Sequence, residues 1–328
     1  MKNILIITNQ SVTIKKESER LLSCYNSTCE EIRIREIEAI LCFGNIQITS
    51  QALELIAEQG IPLSVFSFGG EIKYQVLNPT FTNLDLRFHQ YENYINQQRR
   101  IQLAKYFVVE KIKNAYEFFK NSKSRKKPVF PQELKNEFKL FIIKALNCKS
   151  LDKLLGIEGI FTRTYFNYLS QLSNGEIKFL KRSKHPPKDE ANSLLSFIYT
   201  LTLSIISSMA FATGFDLYTG FLHSEKYGRK SFALDVLEIF RPNFCDRFFI
   251  ELTNKKIISK KHFEHKENSF YLNSEGRRRF FTHWKERVYN EDGGENNLIY
   301  NVKKRLEEIA RILRSGEDIN FDRDYYNL

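Results

Sequence analysis

Short apolar runs separated by turn-forming residues dominate the beginning of the chain. β-Branched and aromatic residues cluster in runs such as residues 63–68, and these runs are typical of β-strands. The pair Gly69-Gly70 follows and favours a hairpin. Residues 50–59 interrupt the pattern with a predicted helix that begins at a hydroxyl residue. The pattern predicts a strand-rich domain over residues 1–80, which we expect to form a dimer or to hold a partner.

The spacing of apolar residues changes to that of helices after about residue 95. One apolar face consists of Ile101, Ala104, Val108, Ile112, Ala115 and Phe119. The opposite, polar face of this helix carries Arg99, Arg100, Lys111 and Lys113. Helical patterns continue to a last helix that Gly316 ends, while the stretch from 248 to 271 fits either short strands or a broken helix.

These patterns predict an α+β fold. The N-terminal β-strand-rich domain (1–80) is followed by a polar linker (81–95) and a larger all-helical catalytic domain (96–328). Residues 191–215 contain no charge and are long enough to span a bilayer. Because eight Ser or Thr residues and Asn192 interrupt this stretch, we expect a buried central helix and no membrane segment.

Charge is divided unevenly along the chain. Residues 1–85 carry seven Lys and Arg against ten Asp and Glu, whereas the remainder carries 43 against 29. We therefore expect a polyanion to meet the second domain. The five cysteines are an odd number without a C-x-x-C pair, which fits reduced thiols and predicts a cytoplasmic protein.

The segment between residues 214 and 242 contains residues that could supply part of a metal site. Asp235 and Glu238 are three residues apart on a predicted helix, so their carboxylates share a face, and His223 precedes them by a short loop. Two carboxylates and one imidazole suit Mg²⁺ or Mn²⁺. Solvated acids and a structural histidine would give the same pattern. Asp235 could also cap the helix or form a salt bridge with Arg229 or Arg241.

In a second segment, Glu158 lies close to two glycines, Gly156 and Gly159, and borders an apolar helical stripe. A carboxylate in this position requires a cation or a hydrogen-bonding partner. A third segment joins a basic loop to the long apolar helix through Pro186-Pro187 and two residues typical of helix caps, Asp189 and Asn192.

Three motifs together, GIEG, R-x-x-x-P-P-x-D-x-x-N-x-L-L-S and GFLH...SFALDVLE...RP, resemble the CRISPR-associated integrase family, the "Cas-one" endonuclease of spacer acquisition. The first eighty residues also resemble that family's β domain. The resemblance implies that Glu158, His223 and Glu238 are catalytic metal ligands and that Asp235 is a catalytic acid close to the metal. Leu217 and Glu190 stand where the family often has proline.

The resemblance also implies an activity. We expect a metal-dependent DNA endonuclease and integrase that inserts new spacers into a CRISPR array during antiviral defence, by attack of a 3′-hydroxyl on a phosphodiester. It implies Mg²⁺ or Mn²⁺ as the metal, double-stranded DNA as substrate, a homodimer, and a small "Cas-two" partner. Two alternatives stay open: a catalytically inactive nucleic-acid-binding scaffold and a zinc-dependent hydrolase of small phosphoesters.

Several residues flank the expected ligands and could bind DNA phosphates. These candidates are Arg163, Tyr165, Arg182, Lys184, Lys188, Asn192, Lys226, Arg229, Lys230 and Arg241. Tyr165 lies on the same helix face as Glu158 and could contact a phosphate, stack on a base or simply pack.

Overall fold

The structure is a computed structural model. It describes residues 3–67, 72–76, 83–122, 132–183, 187–223, 226–266, 269–288, 297–317, 319 and 321. The hairpin expected at Gly69-Gly70 and the candidate Lys184 lie outside these residues.

Two small sheets and one helix make up the N-terminal region. Its elements are β1 (Asn3–Ile7), β2 (Thr13–Glu17), β3 (Arg20–Tyr25), β4 (Thr28–Arg33), β5 (Ile37–Phe43), β6 (Gln47–Ile48), α1 (Ser50–Glu58), β7 (Leu63–Phe66) and β8 (Ile72–Val76). One sheet has the order β1-β5-β7-β8, with β8 antiparallel to β7 and the other pairs parallel. The second has the order β4-β3-β2-β6, in which β6 runs parallel to β2. Their apolar faces form a core around α1.

The rest of the chain is mostly helical. Its elements are α2 (Leu84–Ile95), α3 (Gln97–Lys120), α4 (Gln132–Leu146), α5 (Leu151–Leu172), α6 (Glu190–Thr213), α7 (Ser231–Phe240), α8 (Arg247–Asn254), β9 (Phe263–Lys266), β10 (Ser269–Leu272), α9 (Ser274–Val288) and α10 (Leu298–Ser315). A π-helical segment, Arg241–Asp246, joins α7 directly to α8. Strands β9 and β10 pair as a hairpin. The predicted α+β fold class is therefore confirmed, but the larger domain is mostly helical and not all-helical as predicted, because it contains this hairpin.

Side chains fix the helix starts that sequence patterns predict. Thr49 accepts a hydrogen bond from Ala52 at the start of α1, and the Asp189 carboxylate accepts one from the Asn192 amide at the start of α6. Gly316, with φ of +63°, ends α10 in the left-handed conformation that glycine adopts without strain.

Helix α6 lies at the centre of the larger core. It is long and apolar enough to cross a membrane, but 72% of its most apolar window is buried inside the protein. It also contacts the N-terminal sheet, where the hydroxyl of Ser204 donates a hydrogen bond of 2.7 Å to that of Ser64. The prediction of a buried central helix is confirmed.

Three local expectations need correction. Helix α2 occupies most of the segment predicted as a polar linker (81–95), for which no helix was expected, because Asn83 caps a helix there. Cys24 and Cys29 face each other across β3 and β4 and form a disulfide, whereas we expected reduced thiols. The residues predicted as the polar face of α3 include Arg99 and Lys111, and both are buried, with 7% and 2% of their surface exposed.

Candidate active site

The carboxylate of Asp235 holds residues 221–223 of the loop before α7. Its side chain is fully buried and accepts hydrogen bonds from the backbone amides of Phe221, Leu222 and His223, at 2.6, 3.0 and 3.0 Å. The His223 ring nitrogen Nδ1 lies 2.6 Å from Asp235 Oδ1. Asp235 therefore fixes both the path of the loop and the direction of the imidazole, and Nε2 remains as the ring nitrogen available to a ligand.

One turn further along α7, Glu238 points to different partners from those of Asp235. Only 4% of its side chain is exposed, and it forms ion pairs with Arg241 and Lys111. Burial raises the pKa of the Glu238 carboxyl, but the charges of Arg241 and Lys111 outweigh burial and hold this pKa well below its usual range. A positive charge on His223 would lower the pKa of Glu238 further.

Helix α5 brings Glu158 to the same place from the other side. Its carboxylate pairs with Lys111 and accepts a hydrogen bond of 2.8 Å from the hydroxyl of Thr162, one helical turn later. About a fifth of the Glu158 side chain is exposed, at 20%. The partner that this carboxylate was expected to require is therefore a lysine ammonium.

Lys111 is the residue at this site that sequence patterns did not reveal. Its ammonium contacts Glu158, lies 2.7 Å from Glu238 Oε2 and donates a hydrogen bond of 2.8 Å to the Thr162 hydroxyl. Burial lowers the pKa of Lys111, but the carboxylates of Glu238 and Glu158 outweigh it and raise this pKa above its usual value. The signal in the sequence was the position of Lys111 at the border of the apolar face of α3. We had assigned this lysine to the polar face of the helix.

Glu158 and Glu238, eighty positions apart in the chain, thus share one buried cation. Among the described residues, no three His, Cys, Asp or Glu side chains form a closed metal cluster. By donor type, two carboxylates and one imidazole suit Mg²⁺ or Mn²⁺, and here both carboxylates converge on the Lys111 ammonium. Glu238 Oε2 also accepts no aligned hydrogen bond, although it lies 2.7 Å from the Lys111 nitrogen.

A second buried cluster, formed by Asp246, Tyr165 and Tyr199, packs next to Arg241. The Asp246 carboxylate, at the end of the π-helical segment, accepts hydrogen bonds from the hydroxyls of Tyr165 and Tyr199. The Arg241 guanidinium lies over the Tyr199 ring, 4.8 Å from its centroid. Tyr165 and Tyr199 are both buried. Tyr165 therefore packs, which was one of the three roles considered for it.

The remaining candidates for DNA binding separate into two groups. Arg163, Lys188 and Lys226 are exposed, and Arg229 is half-buried. The second group is engaged inside the protein and consists of Arg182, Asn192, Lys230 and Arg241. The first group is therefore the one that can meet a polyanion without rearrangement.

A groove adjoins the His223 loop on the side of α2. It has a volume of about 550 Å³, and its walls combine aromatic and basic side chains. Its lining includes Tyr91, Tyr94, Tyr218, Tyr227, Lys226 and Arg229. Tyr227 and Tyr218 are exposed to solvent. Aromatic faces next to cations are the features with which proteins bind unpaired nucleotides.

Comparison with known proteins relates the chain to one family. Residues 5–286 match the family model described as CRISPR associated protein Cas1. The CRISPR-associated endonuclease Cas1 of Thermotoga maritima is 28% identical over 282 residues, which cover 84% of this chain and 84% of that protein. The CRISPR-associated endonuclease Cas1 1 of Chlorobaculum tepidum is 30% identical over an alignment of 333 positions including gaps, which covers 97% of this chain and 96% of that protein.

Solved structures give the same relationship. A Cas1 protein from Thermotoga maritima aligns with a TM-score of 0.84 and 26% identity, over 97% of this chain and 98% of that chain. A casposase bound to its integration product aligns with a TM-score of 0.79 over 98% of this chain and 95% of that chain. At 21% identity the second similarity concerns the fold alone.

Proposed function

The chain belongs to the Cas1 family of CRISPR-associated proteins, and we propose that it is the metal-dependent DNA endonuclease and integrase of spacer acquisition. The observation that carries this proposal is the approach of Glu158 and Glu238 to one buried cation beside His223. In the integrating direction, a 3′-hydroxyl on a short incoming duplex loses its proton and attacks a phosphodiester of the CRISPR array, and the new P–O bond forms as the bond to the 3′-oxygen of the array strand breaks. This reaction is the adaptation stage of antiviral defence.

The residues that would hold the metal are Glu158, His223 and Glu238. A bound divalent ion supplies charge neutralisation at the nonbridging phosphate oxygens and lowers the pKa of the attacking hydroxyl or water. Two carboxylates and one imidazole fit Mg²⁺ or Mn²⁺ better than Zn²⁺, because hard oxygen ligands predominate.

The other side chains of the site prepare these ligands. Asp235 would accept a hydrogen bond from Nδ1–H of His223 and so favour the tautomer whose Nε2 lone pair can bind a cation. Arg241 balances one negative charge of Glu238 within the buried interior. We assign Asp235 and Arg241 as positioning residues, since each acts through a ligand.

DNA approaches this site along exposed basic residues. Arg163, Lys188 and Lys226 offer sequence-independent contacts to phosphates. The groove lined by Tyr218 and Tyr227 lies next to the His223 loop, where an unpaired strand end could stack on aromatic rings while the reacting phosphate reaches the site.

The N-terminal region serves assembly in this proposal. We assign residues 1–80 to homodimer formation and to binding of a small Cas2 partner, and residues 96–328 to catalysis and DNA binding. Supporting this division, residues 1–85 carry a net negative charge and the remainder a strongly positive one. Structures titled as Cas6-RT-Cas1–Cas2 complexes share the fold of this chain at 20% and 21% identity. We place the protein in the cytoplasm, where CRISPR arrays are found.

A catalytically inactive scaffold is the less favoured alternative. Burying the charges of Glu238 and Lys111 lowers the stability of the folded protein. A DNA-binding scaffold would gain nothing in return, because neither side chain reaches the exposed basic surface. An active site, by contrast, requires charges that are held in place away from water.

Three single substitutions test the proposal: Glu158→Ala, His223→Ala and Glu238→Ala. Each should abolish cutting and joining of DNA in the presence of Mg²⁺ or Mn²⁺ and leave the affinity for duplex DNA within about threefold of the parent, because phosphate contacts dominate that affinity. Glu307→Ala, which removes an exposed carboxylate of α10, is the matched control and should remain active. Full activity of all three site variants would overturn the proposal, and tightly bound Zn²⁺ with activity on small phosphoesters would favour the zinc-dependent hydrolase.

A further inference from the structure

The buried charges around Glu158 and Glu238 balance without any metal ion. The two carboxylates face two cations, Lys111 and Arg241, and the side chains of Lys111 and Glu238 are only 3% and 4% exposed. Even when the buried carboxylate of Asp235 beside His223 is counted, a divalent ion that joined this group would leave an excess of one positive charge in a poorly solvated site. Like charges in such surroundings repel far more strongly than they do in water.

Lys111 is the cation that a metal ion would have to displace or tolerate. Its ammonium is bound to one oxygen of each carboxylate that we assign as a metal ligand, and Thr162 holds it in place. Arg241 differs, because it contacts only Glu238 among these ligands. Lys111 therefore competes directly for the electron pairs that the metal requires.

A DNA phosphodiester supplies the negative charge that the site lacks. Each phosphate next to the ligands would offset part of the excess positive charge and could also accept a hydrogen bond from a displaced lysine ammonium. Metal ion and DNA should then favour each other's binding, because linkage between two ligands is reciprocal.

We propose that Lys111 is an internal counter-ion that keeps the metal site weak until DNA is bound, so that metal capture depends on substrate. This proposal rests on the proposed function of Glu158 and Glu238 as metal ligands. In the DNA-free protein, Lys111 holds the two carboxylates together, and the site is assembled but its ligands are occupied. Bound DNA shifts the balance towards the divalent ion, which protects the cell from an enzyme that is loaded in the absence of substrate.

Titration of the full-length protein with Mn²⁺, followed by the electron paramagnetic resonance signal of free Mn²⁺, tests this proposal. A short duplex with 3′-hydroxyl ends is present or absent, in the absence of turnover at low temperature. The parent protein should bind Mn²⁺ between about 5-fold and 150-fold more tightly with DNA, which is the usual range of coupling between sites. Equal Mn²⁺ affinity with and without DNA would overturn the proposal.

Two substitutions of Lys111 distinguish competition with the metal ion from a purely structural role of this side chain. Lys111→Met removes the charge and should tighten Mn²⁺ binding in the absence of DNA, while DNA adds little further. Lys111→Arg retains a positive charge and should keep the weak binding of the parent. Lys120→Met, at the exposed end of α3, is the matched control. A structural role alone would weaken Mn²⁺ binding in Lys111→Met, so this result would also overturn the proposal.

The parent titration needs no variant, so the proposal stays testable if Lys111→Met does not fold. The same titration of Glu238→Ala distinguishes the proposed role of Lys111 from the proposed function of the site. Loss of Mn²⁺ binding in Glu238→Ala, with parent-like binding in Lys111→Met, would leave the proposed function standing and reject the role of Lys111. Retained Mn²⁺ binding and DNA cutting in Glu238→Ala would reject the proposed function itself.

Discussion

His223 Nδ1 lies 2.6 Å from Asp235 Oδ1, and the same carboxylate accepts three hydrogen bonds from the backbone amides of residues 221–223. One fully buried side chain therefore sets both the loop conformation and the imidazole direction. The orientation of a metal-binding histidine by a carboxylate is commonly worth about 10-fold to 100-fold in metal affinity or activity.

Asp235→Asn should reduce strand cutting and Mn²⁺ affinity by about 10-fold to 100-fold. Oδ1 of Asp235 contacts both the backbone nitrogen and Nδ1 of His223, and Oδ2 accepts from the amides of Phe221 and Leu222, so an amide of the same size, with one oxygen, loses one of these two pairs of contacts. Cutting rates and Mn²⁺ titration measure the effect, and duplex affinity should not change.

Asp216→Asn provides the control for loop damage. Asp216 accepts hydrogen bonds of 2.8 Å from the amides of Tyr218 and Thr219 in the same loop, and no imidazole contact is found for it in the described residues. An equal loss of activity in both variants would show that loop conformation alone is responsible and that the His223 contact contributes nothing.

Helical spacing predicted the elements that carry the site but not all of its members. The position of Glu158 in an apolar helix indicated that it needs a partner, and Lys111 supplies it. Helical spacing could not identify Lys111 as a member of the site. The period of the apolar residues shows which face of α3 is apolar, but it does not show which side chains of neighbouring helices lie against the other faces of α3. Helices α5 and α7 bring carboxylates to this position, and that contact depends on tertiary packing.

The same limit explains the residues that we expected at the DNA surface. Tyr165 does lie two turns after Glu158, as the spacing requires, but its hydroxyl binds Asp246, 81 residues away in sequence. Asn192 stabilises its own loop through Lys181 and Asp189. Sequence motifs place such residues near a site, but only the folded chain distinguishes a supporting side chain from one that faces a ligand.

Substitution of the two carboxylates should affect stability unequally. Glu238→Gln leaves the buried Lys111 and Arg241 charges without their common partner and should lower the unfolding free energy by about 3 to 5 kcal/mol, the usual effect of breaking a buried ion pair. Glu158→Gln should cost less, because 20% of Glu158 is exposed and Lys111 keeps its contact with Glu238. Urea unfolding at neutral pH measures both. The opposite order of stabilities would contradict the assignment of Glu238 as the main partner of these cations.

Exposed and internal basic residues should differ in their effect on DNA binding. Arg163→Ala, Lys188→Ala and Lys226→Ala each remove an exposed charge, so each should weaken binding of all duplex sequences and reduce the slope of log affinity against log salt by about 1. Arg182→Ala instead removes hydrogen bonds of 2.9 Å to Asn192 and Ser196, so it should lower stability. Salt titrations of duplex binding, together with thermal unfolding, separate the two effects. Unchanged salt slopes in all three exposed variants would place the DNA elsewhere.

The buried carboxyl of Asp246 should make stability depend on pH. Burial raises the pKa of Asp246 from 3.8 to about 6, although hydrogen bonds from Tyr199 and Tyr165 and the charge of Arg241 act in the opposite direction. Between these two pH values, the folded protein retains a proton that the unfolded chain has released. The contribution of Asp246 to the unfolding free energy therefore falls as the pH rises through this window, by roughly 3 kcal/mol for a shift of about two pKa units.

Asp246→Asn removes this titration while it keeps the size of the side chain and an oxygen for a tyrosine hydroxyl. Relative to the parent protein, the variant should become more stable by roughly 3 kcal/mol as the pH rises from about 4 to about 7. Urea unfolding at several pH values in this range gives the difference directly, and titration of other groups cancels between the two proteins. Asp152→Asn, which removes an exposed carboxylate of α5, is the control. If the difference in unfolding free energy between the parent and Asp246→Asn stays constant with pH, the carboxyl of Asp246 does not titrate in this window. The hydroxyls of Tyr165 and Tyr199 would then bind a carboxylate that stays ionised throughout.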